Sequence, residues 1–332
     1  MTTHDVRCQA LEMLGYTPRQ AQFVVLVALH GGYFLRRQYV AFTGTPHGQA
    51  AVRFLAQAVA REHVRVLPYG RHGHVYHLYA RPLYAAIGEE DNRNRRPAEW
   101  DAVIRKLMTL DFVLAQAGAR FWATEQDKVE LLRERLIPVD VWPHRVYAPR
   151  HPGGHRTIRY FVDKMPWYRV GDEPRLWITY VDAERTLQGF ETFLDQYRAL
   201  LASLPSGVTY VAPTVWHGAI QQAFTKALES DDRGRMDRFT AYCDMRRMIE
   251  DAQRHRPLTP EQHQRFRDRC SEFLTPAFDA LYQKYLETGR LSSAEVDAAA
   301  FPTCALRVHA LRRTYDPGQT RPEPRMSEEG VT

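Results

Sequence analysis

Proline and glycine cut the first eighty residues of this chain into four short pieces, and that punctuation constrains the fold more than any other feature. Thr17-Pro18 is a helix start, with Thr as N-cap and Pro at the first helical position. Phe23, Leu26, Val27 and His30 follow at helical spacing, and Gly31-Gly32 ends the run. The pattern predicts a second helix from Leu35 to Phe42, turned inward on Tyr39 and Phe42 and broken at Gly44. Thr45-Pro46 repeats the start signal and predicts a third helix over 46–63. Its apolar stripe reads as Val52, Leu55, Ala56 and Val59, with His47, Gln49, Arg53 and Gln57 mostly off it. The stretch VRVLPYGRHGHVYHLYA (64–80) then places two β-branched, aromatic runs, 65–67 and 75–79, around a turn supplied by Gly70 and Gly73.

Three helices followed by a basic hairpin predict a winged helix-turn-helix. In that arrangement the third helix enters the major groove of duplex DNA. His47, Gln49, Arg53 and Gln57 are donors and acceptors suited to base edges and phosphates. The hairpin, with Arg65, Arg71, His72 and His74, touches the backbone or minor groove. Charge agrees: residues 1–96 hold twelve Arg, no Lys and six Asp plus Glu, so the whole net charge of +6 resides there. An Arg-rich coding bias is the plainer source of that charge. Two other readings compete. His72, His74 and His77 are metal-ligand types, but no Cys or carboxylate lies near them to complete a site, so no metal or other cofactor is expected. A winged domain also serves protein contacts, and a polar outer face is normal for any surface helix.

Four cysteines (Cys8, Cys243, Cys270 and Cys304) are widely spread, without the spacing of a disulfide framework or zinc knuckle. The longest apolar run, near Phe23 to Leu29, is too short to span a bilayer. The first residues lack the order of a signal peptide, so a cytoplasmic location without a membrane partner is expected.

The remainder predicts an α/β protein, α+β overall. Residues 1–87 form the winged unit and include a short helical turn at 81–87. Residues 88–97 (GEEDNRNRRP) are polar, lack apolar anchors and read as a linker, whose Arg93, Arg95 and Arg96 are alternatively phosphate contacts. Over 98–230, strands alternate with helices: a helix 98–117, a strand 120–124, a helix 125–136, strands at 139–148, 157–163 and 175–182, a helix 187–204, a strand 208–215 and a helix 216–228. HPGGHRT (151–157) reads as a hairpin turn able to meet an anion. Residues 231–312 look helical and 313–332 disordered.

Asp163 and Asp182 are predicted to end two neighbouring strands, with Glu191 and Asp195 on the helix after the second. Carboxylates placed so can hold Mg²⁺, as in restriction-type nucleases. That chemistry also needs an acid two residues before Asp182 and a nearby Lys. Tyr180 occupies the first position, and no Lys takes the second. A plainer role for Asp182 is to cap the turn or helix that follows it.

The basic winged helix, YFVDKMPWYR, LWITYVDAERTLQGFETFLDQYRAL and VTYVAPTV together resemble the replication-relaxation family of plasmid and mobile-element proteins. The likeness covers about residues 15–228. It implies a winged helix joined to a domain similar to the PD-(D/E)xK nuclease fold. Asp163 and Asp182 would match the family's two aspartates and Tyr197 its helix tyrosine. Tyr180 departs from the acid, and Leu194 or Gln196 stands where a Lys is sought. The expectation is therefore a double-stranded-DNA-binding regulator of transcription or replication in a mobile element, with an inactive nuclease-like domain and self-association through the central or C-terminal region. The alternatives are a Mg²⁺-dependent endonuclease using Asp163, Asp182 and Glu191, and a protein-interaction module.

Overall fold

The computed structural model describes residues 3–45, 48–69, 73–148, 156–228, 240, 242–250, 254, 259–262, 276–289 and 304–315. The chain opens with α1 (Thr3–Met13), which sequence punctuation did not signal. Then come α2 (Pro18–His30), β1 (Tyr33–Leu35), α3 (Arg36–Thr43), α4 (Gln49–Ala60), β2 (Val64–Tyr69), β3 (Gly73–Leu78) and α5 (Arg81–Ala86). Thr17 caps α2 as expected, in a reciprocal capping box with Gln20. The three strands pair antiparallel in the order β1-β3-β2, so β3 lies at the centre and is paired on both sides. β1 is a further element the sequence concealed: Tyr33, Phe34 and Leu35 follow Gly31-Gly32 so closely that they read as the entry to the next helix. A core of Phe23, Phe34, Tyr39 and Phe54 holds these pieces together, with Tyr39 stacked on Phe54 at 4.3 Å between ring centroids.

The second unit contains α6 (Trp100–Ala115), β4 (Ala119–Trp122), α7 (Glu125–Glu134), β5 (His144–Tyr147), β6 (Thr157–Tyr160), β7 (Trp167–Val170), β8 (Leu176–Val181), α8 (Leu187–Ser203), β9 (Ser206–Ala212), α9 (His217–Leu228), a helix over Pro276–Thr288 and β10 (Ala305–Ala310). Five strands make one sheet in the order β10-β9-β8-β7-β4. The β8-β9 and β9-β10 pairs are parallel, and the β8-β7 and β7-β4 pairs antiparallel. Alternation divides the strands between two faces. Leu176, Ile178, Val208 and Tyr210 meet α7, α8 and α9 on one side, and Trp177, Val181, Val211 and Tyr168 meet α6 on the other. Trp177 lies opposite Gly207, where a Cβ would fall 2.5 Å from the indole, so the neighbouring strand has a glycine. The α/β class read from the sequence is what the structure shows. Among the described residues no helix is long and apolar enough to cross a membrane.

Several boundaries differ from expectation. Residues 88–97 are not a solvated linker. They run as a strap over the first unit, and Asn94, 3% exposed, is its anchor. The Asn94 amide donates to the carbonyls of Ala28 (3.0 Å) and Leu29 (3.3 Å), the last turn of α2. Its own carbonyl lies 3.0 Å from Nε2 of His77. Gly32, at φ +78°, passes so close under the Asn94 carbonyl that any Cβ would collide with it. A polar segment can thus be buried when its polar groups end the unsatisfied carbonyls of a helix, a pairing invisible to hydropathy. The two units also share a core. Tyr33, Leu35 and Val75 of the first pack with Val103, Ile104 and Leu107 of α6 and with Trp177 and Val211 of the sheet.

The region 231–312 is not wholly helical. Residues 242–250 are helical, but β10 joins the sheet beside β9. Residues 313–315, placed in the disordered tail by composition, are held: the Tyr315 hydroxyl meets Asp111 at 2.6 Å and also contacts Arg37. The expected disorder of 316–332 lies outside the described residues. The strand foreseen over 139–148 is a 3-10 turn, Val139–Val141, followed by β5.

Candidate functional site

α4, the helix assigned to the DNA groove, keeps a different side inward from the one read in its sequence. Ala51, Phe54, Leu55 and Ala58 are buried, whereas Val52 (49% exposed), Ala56 and Val59 (40% exposed) face out. The spacing 51, 54, 55, 58 is equally helical, and it buries the large Phe54 ring in place of two valine side chains. Arg53 and, at the helix start, Gln49 are exposed. Gln57 is otherwise engaged: its amide donates to the Gly15 carbonyl at 3.0 Å, tying α4 to the turn before α2. His47 lies outside the described residues.

On the hairpin, Arg65 is exposed with its guanidinium 4.4 Å from the Tyr79 ring centroid, and His74 is exposed on β3. Arg71 and His72 lie outside the described residues. His77 is buried. Its ring stacks on Tyr33 at 4.1 Å with the two planes nearly parallel, and burial pushes its pKa down to about 4. His74 and His77 are three residues apart on one strand and point to opposite faces, so they do not converge on one ion. Val75, Leu67 and Tyr69 are turned toward α6, which covers one side of the hairpin.

The carboxylates predicted at neighbouring strand ends are not arranged that way. Among the described residues β6, which precedes Asp163, pairs only with β5 in a separate ribbon, and Asp163 lies in the turn beyond it. The neighbours of β8 are β7 and β9. Asp163 accepts from the Met165 N–H (2.9 Å) and from the Tyr197 hydroxyl (2.6 Å). Asp182, 1% exposed, accepts from the N–H groups of Arg185 (2.7 Å) and Thr186 (3.4 Å) and from the Tyr210 hydroxyl. Both oxygens of each carboxylate are thereby occupied. Asp182 performs the capping role that its position after a strand allows. Burial and the adjacent carboxylate raise the Tyr197 and Tyr210 hydroxyls, which stay protonated as donors. Glu191 and Asp195 are exposed on the outer face of α8, away from the buried Phe190, Phe193 and Tyr197. Tyr180 packs among Phe190, Phe193 and Tyr210 as a core residue. Among the described residues no group of three or more His, Cys, Asp or Glu is placed to hold a metal ion.

A cation does approach Asp163, and it comes from a helix. Lys128 on α7 is 1% exposed; its Nζ donates to the Met165 carbonyl at 2.7 Å and lies 5.3 Å from the Trp167 ring centroid. Burial lowers its pKa to about 8, against the opposing pull of the Asp163 charge. Its position could have been read from the sequence: the Thr124 cap sets the phase of α7, and Lys128 is four residues before Leu132 on the inward side. Lys128 also borders a cleft of about 610 Å³ between the strap and the β5-β6 ribbon, lined too by Glu89, Arg93, Glu125, Arg159 and Lys164. Both signs of charge line it, so the cleft is not an anion pocket by charge alone.

No family model, no curated protein and no solved structure matches this chain.

Proposed function

We propose that the chain is a duplex-DNA-binding protein whose first unit makes the sequence-reading contact, with the second unit serving as a non-catalytic scaffold. The observation that carries this reading is the order α2-β1-α3-α4-β2-β3, with the sheet β1-β3-β2 and Arg53 exposed on α4. That order is the one expected of a winged helix-turn-helix, in which the second helix of the turn enters the major groove. The twelve Arg and no Lys of residues 1–96 support it. A role in the transcription or replication of a mobile element accords with the resemblance of the sequence to the replication-relaxation family.

The test uses the full chain, because α6 and the strap complete the core of the first unit. Duplexes enriched from a random pool bind with an affinity that falls steeply with salt, since phosphate contacts dominate. Arg53→Ala removes a base contact worth about 1–3 kcal/mol and narrows the gap between enriched and random duplexes. Arg71→Ala weakens both alike. Absence of salt-sensitive duplex binding by the intact chain rejects the proposal.

One observation favours a second reading, a protein-interaction role for the same face. Val52, Ala56 and Val59 make the outer side of α4 more apolar than its sequence led one to expect. Val52→Glu separates the two: it abolishes a protein contact, but in a DNA reader it acts in proportion to added negative charge and is relieved by lower salt.

A further inference from the structure

The β5-β6 ribbon is a second candidate contact, and the reading above does not use it. Between His144 and Tyr160 the sequence holds four Arg, three His and no Asp or Glu. Among the described residues the ribbon pairs with no other strand. Its register sets Val146 opposite Ile158 and Arg145 opposite Arg159. Val146 is 52% exposed, Ile158 49% and Tyr147 40%, and Arg145, Arg156 and Arg159 are exposed as well.

Each of these features disfavours the ribbon in isolation. A lone two-stranded hairpin is marginal in water. Like charges directly opposite on a ribbon destabilise it. Exposed β-branched residues gain nothing where they stand. Yet the base is firmly seated. Tyr160 packs edge-on against Trp142 at 5.3 Å between centroids, its N–H donates to Glu125 at 3.1 Å, and the Phe161 N–H donates to the Pro143 carbonyl at 2.9 Å. Glu125 also lies 3.9 Å from Arg159, at the limit of ion pairing, and among the described residues no carboxylate pairs with Arg145 or Arg156. A fixed base under a self-repelling, basic ribbon points to an external anion that relieves the repulsion.

We infer that the β5-β6 ribbon lies along the phosphate backbone of duplex DNA, with Arg145, Arg156 and Arg159 on phosphates. Guanidinium groups match phosphate with paired, charge-assisted hydrogen bonds. The width of the ribbon suits a groove edge, where Tyr147, on the same face as Arg145 and Arg159, meets sugars. The inference rests on the duplex-binding reading and adds a contact outside the helix-hairpin unit.

The experiment measures duplex affinity of the full chain against salt, beside the triple variant Arg145→Gln/Arg156→Gln/Arg159→Gln and its Lys counterpart. Three lost phosphate contacts lower the salt slope by about 2.7. Between 50 and 200 mM salt the Gln variant then loses about 40-fold less affinity than the parent. The Lys variant keeps most of the parent slope. Both variants melt no lower than the parent, because a like-charge pair is removed or unchanged. Parent binding with an unaltered slope in the Gln variant overturns the ribbon contact alone. A parent with no duplex affinity overturns this inference and the proposed function together. Loss confined to single-stranded DNA, or to an acidic protein partner, overturns the duplex assignment of the ribbon.

Discussion

Asn94→Ala tests whether the polar strap is part of the folded core. The side chain donates to two carbonyls at the end of α2, 3.0 Å from Ala28 O and 3.3 Å from Leu29 O. The following N–H groups, of Gly31 and Gly32, both turn to Val27 and do not relieve those carbonyls. A buried group stripped of its partner costs about 1–3 kcal/mol. Ala28 is fully buried, whereas Leu29 is partly exposed, so water can meet the second carbonyl in part. The expected loss is about 2–4 kcal/mol, from those two groups and the cavity of the missing amide. Asn94→Asp keeps the shape but turns an acceptor toward two acceptors; it destabilises at least as much at neutral pH and recovers as acid protonates it. Urea denaturation followed by tryptophan fluorescence and circular dichroism gives the midpoint and slope. A shift below about 0.5 kcal/mol at unchanged slope, the usual size for an exposed surface site, would refute the reasoning.

Four further outcomes are expected. His30 and His77 are both pushed by burial to about 4. The unfolded chain therefore binds protons the folded chain refuses, and stability present above pH 6.5 falls as pH drops toward 4, by up to about 1.4 kcal/mol per pH unit for each; His77→Gln makes denaturation midpoints between pH 7 and 4.5 change less steeply, and an unchanged profile counts against it. For Lys128, lowered by burial to about 8, the unfolded chain again holds the extra proton, so stability rises between pH 8 and 9.5; Lys128→Met removes that rise, whatever it does to stability at pH 7. Asp111→Ala strips the Arg37 guanidinium of two 2.7 Å contacts and the Tyr315 hydroxyl of its acceptor; as the pair is partly solvated, a loss of about 1–3 kcal/mol is expected in thermal melts, and a neutral result rejects the clasp. The chain does not cleave plasmid DNA in Mg²⁺ or Mn²⁺, because the oxygens of Asp163 and Asp182 are engaged by protein donors; metal-dependent nicking lost in Asp163→Ala would show otherwise.

The first unit was legible where the signals are local. Thr17-Pro18, Gly31-Gly32 and Gly44 each act within one turn, and α2, α3 and the hairpin fall close to where they predict. The inward side of α4 differs from the sequence reading because two helical stripes fit twelve residues, and the rings of Tyr16, Phe23, Phe34 and Tyr39 decide in favour of Phe54. Long-range pairing was least legible. β10 lies almost a hundred residues beyond β9 in sequence. β7 follows a turn at Asp163 that its apolar run conceals. Asn94 and Lys128 have polar sequences and buried fates, because their partners are carbonyls and ring faces contributed by other elements. Asp163 and Tyr197, both matched through the family resemblance, do meet, but as acceptor and donor within the fold.

The last strand of the sheet has a temporal consequence. All seven residues of β9 are buried, and β10 pairs with it over six positions from 305 to 310. During synthesis β9 is made long before β10, so for that interval it is an open edge with its backbone groups unpaired. Such edges recruit other chains. The nascent protein is therefore most vulnerable to aggregation after the first unit has closed and before β10 is made. A ribosome stalled within residues 231–303 would release a chain with a formed front and an adhesive sheet margin.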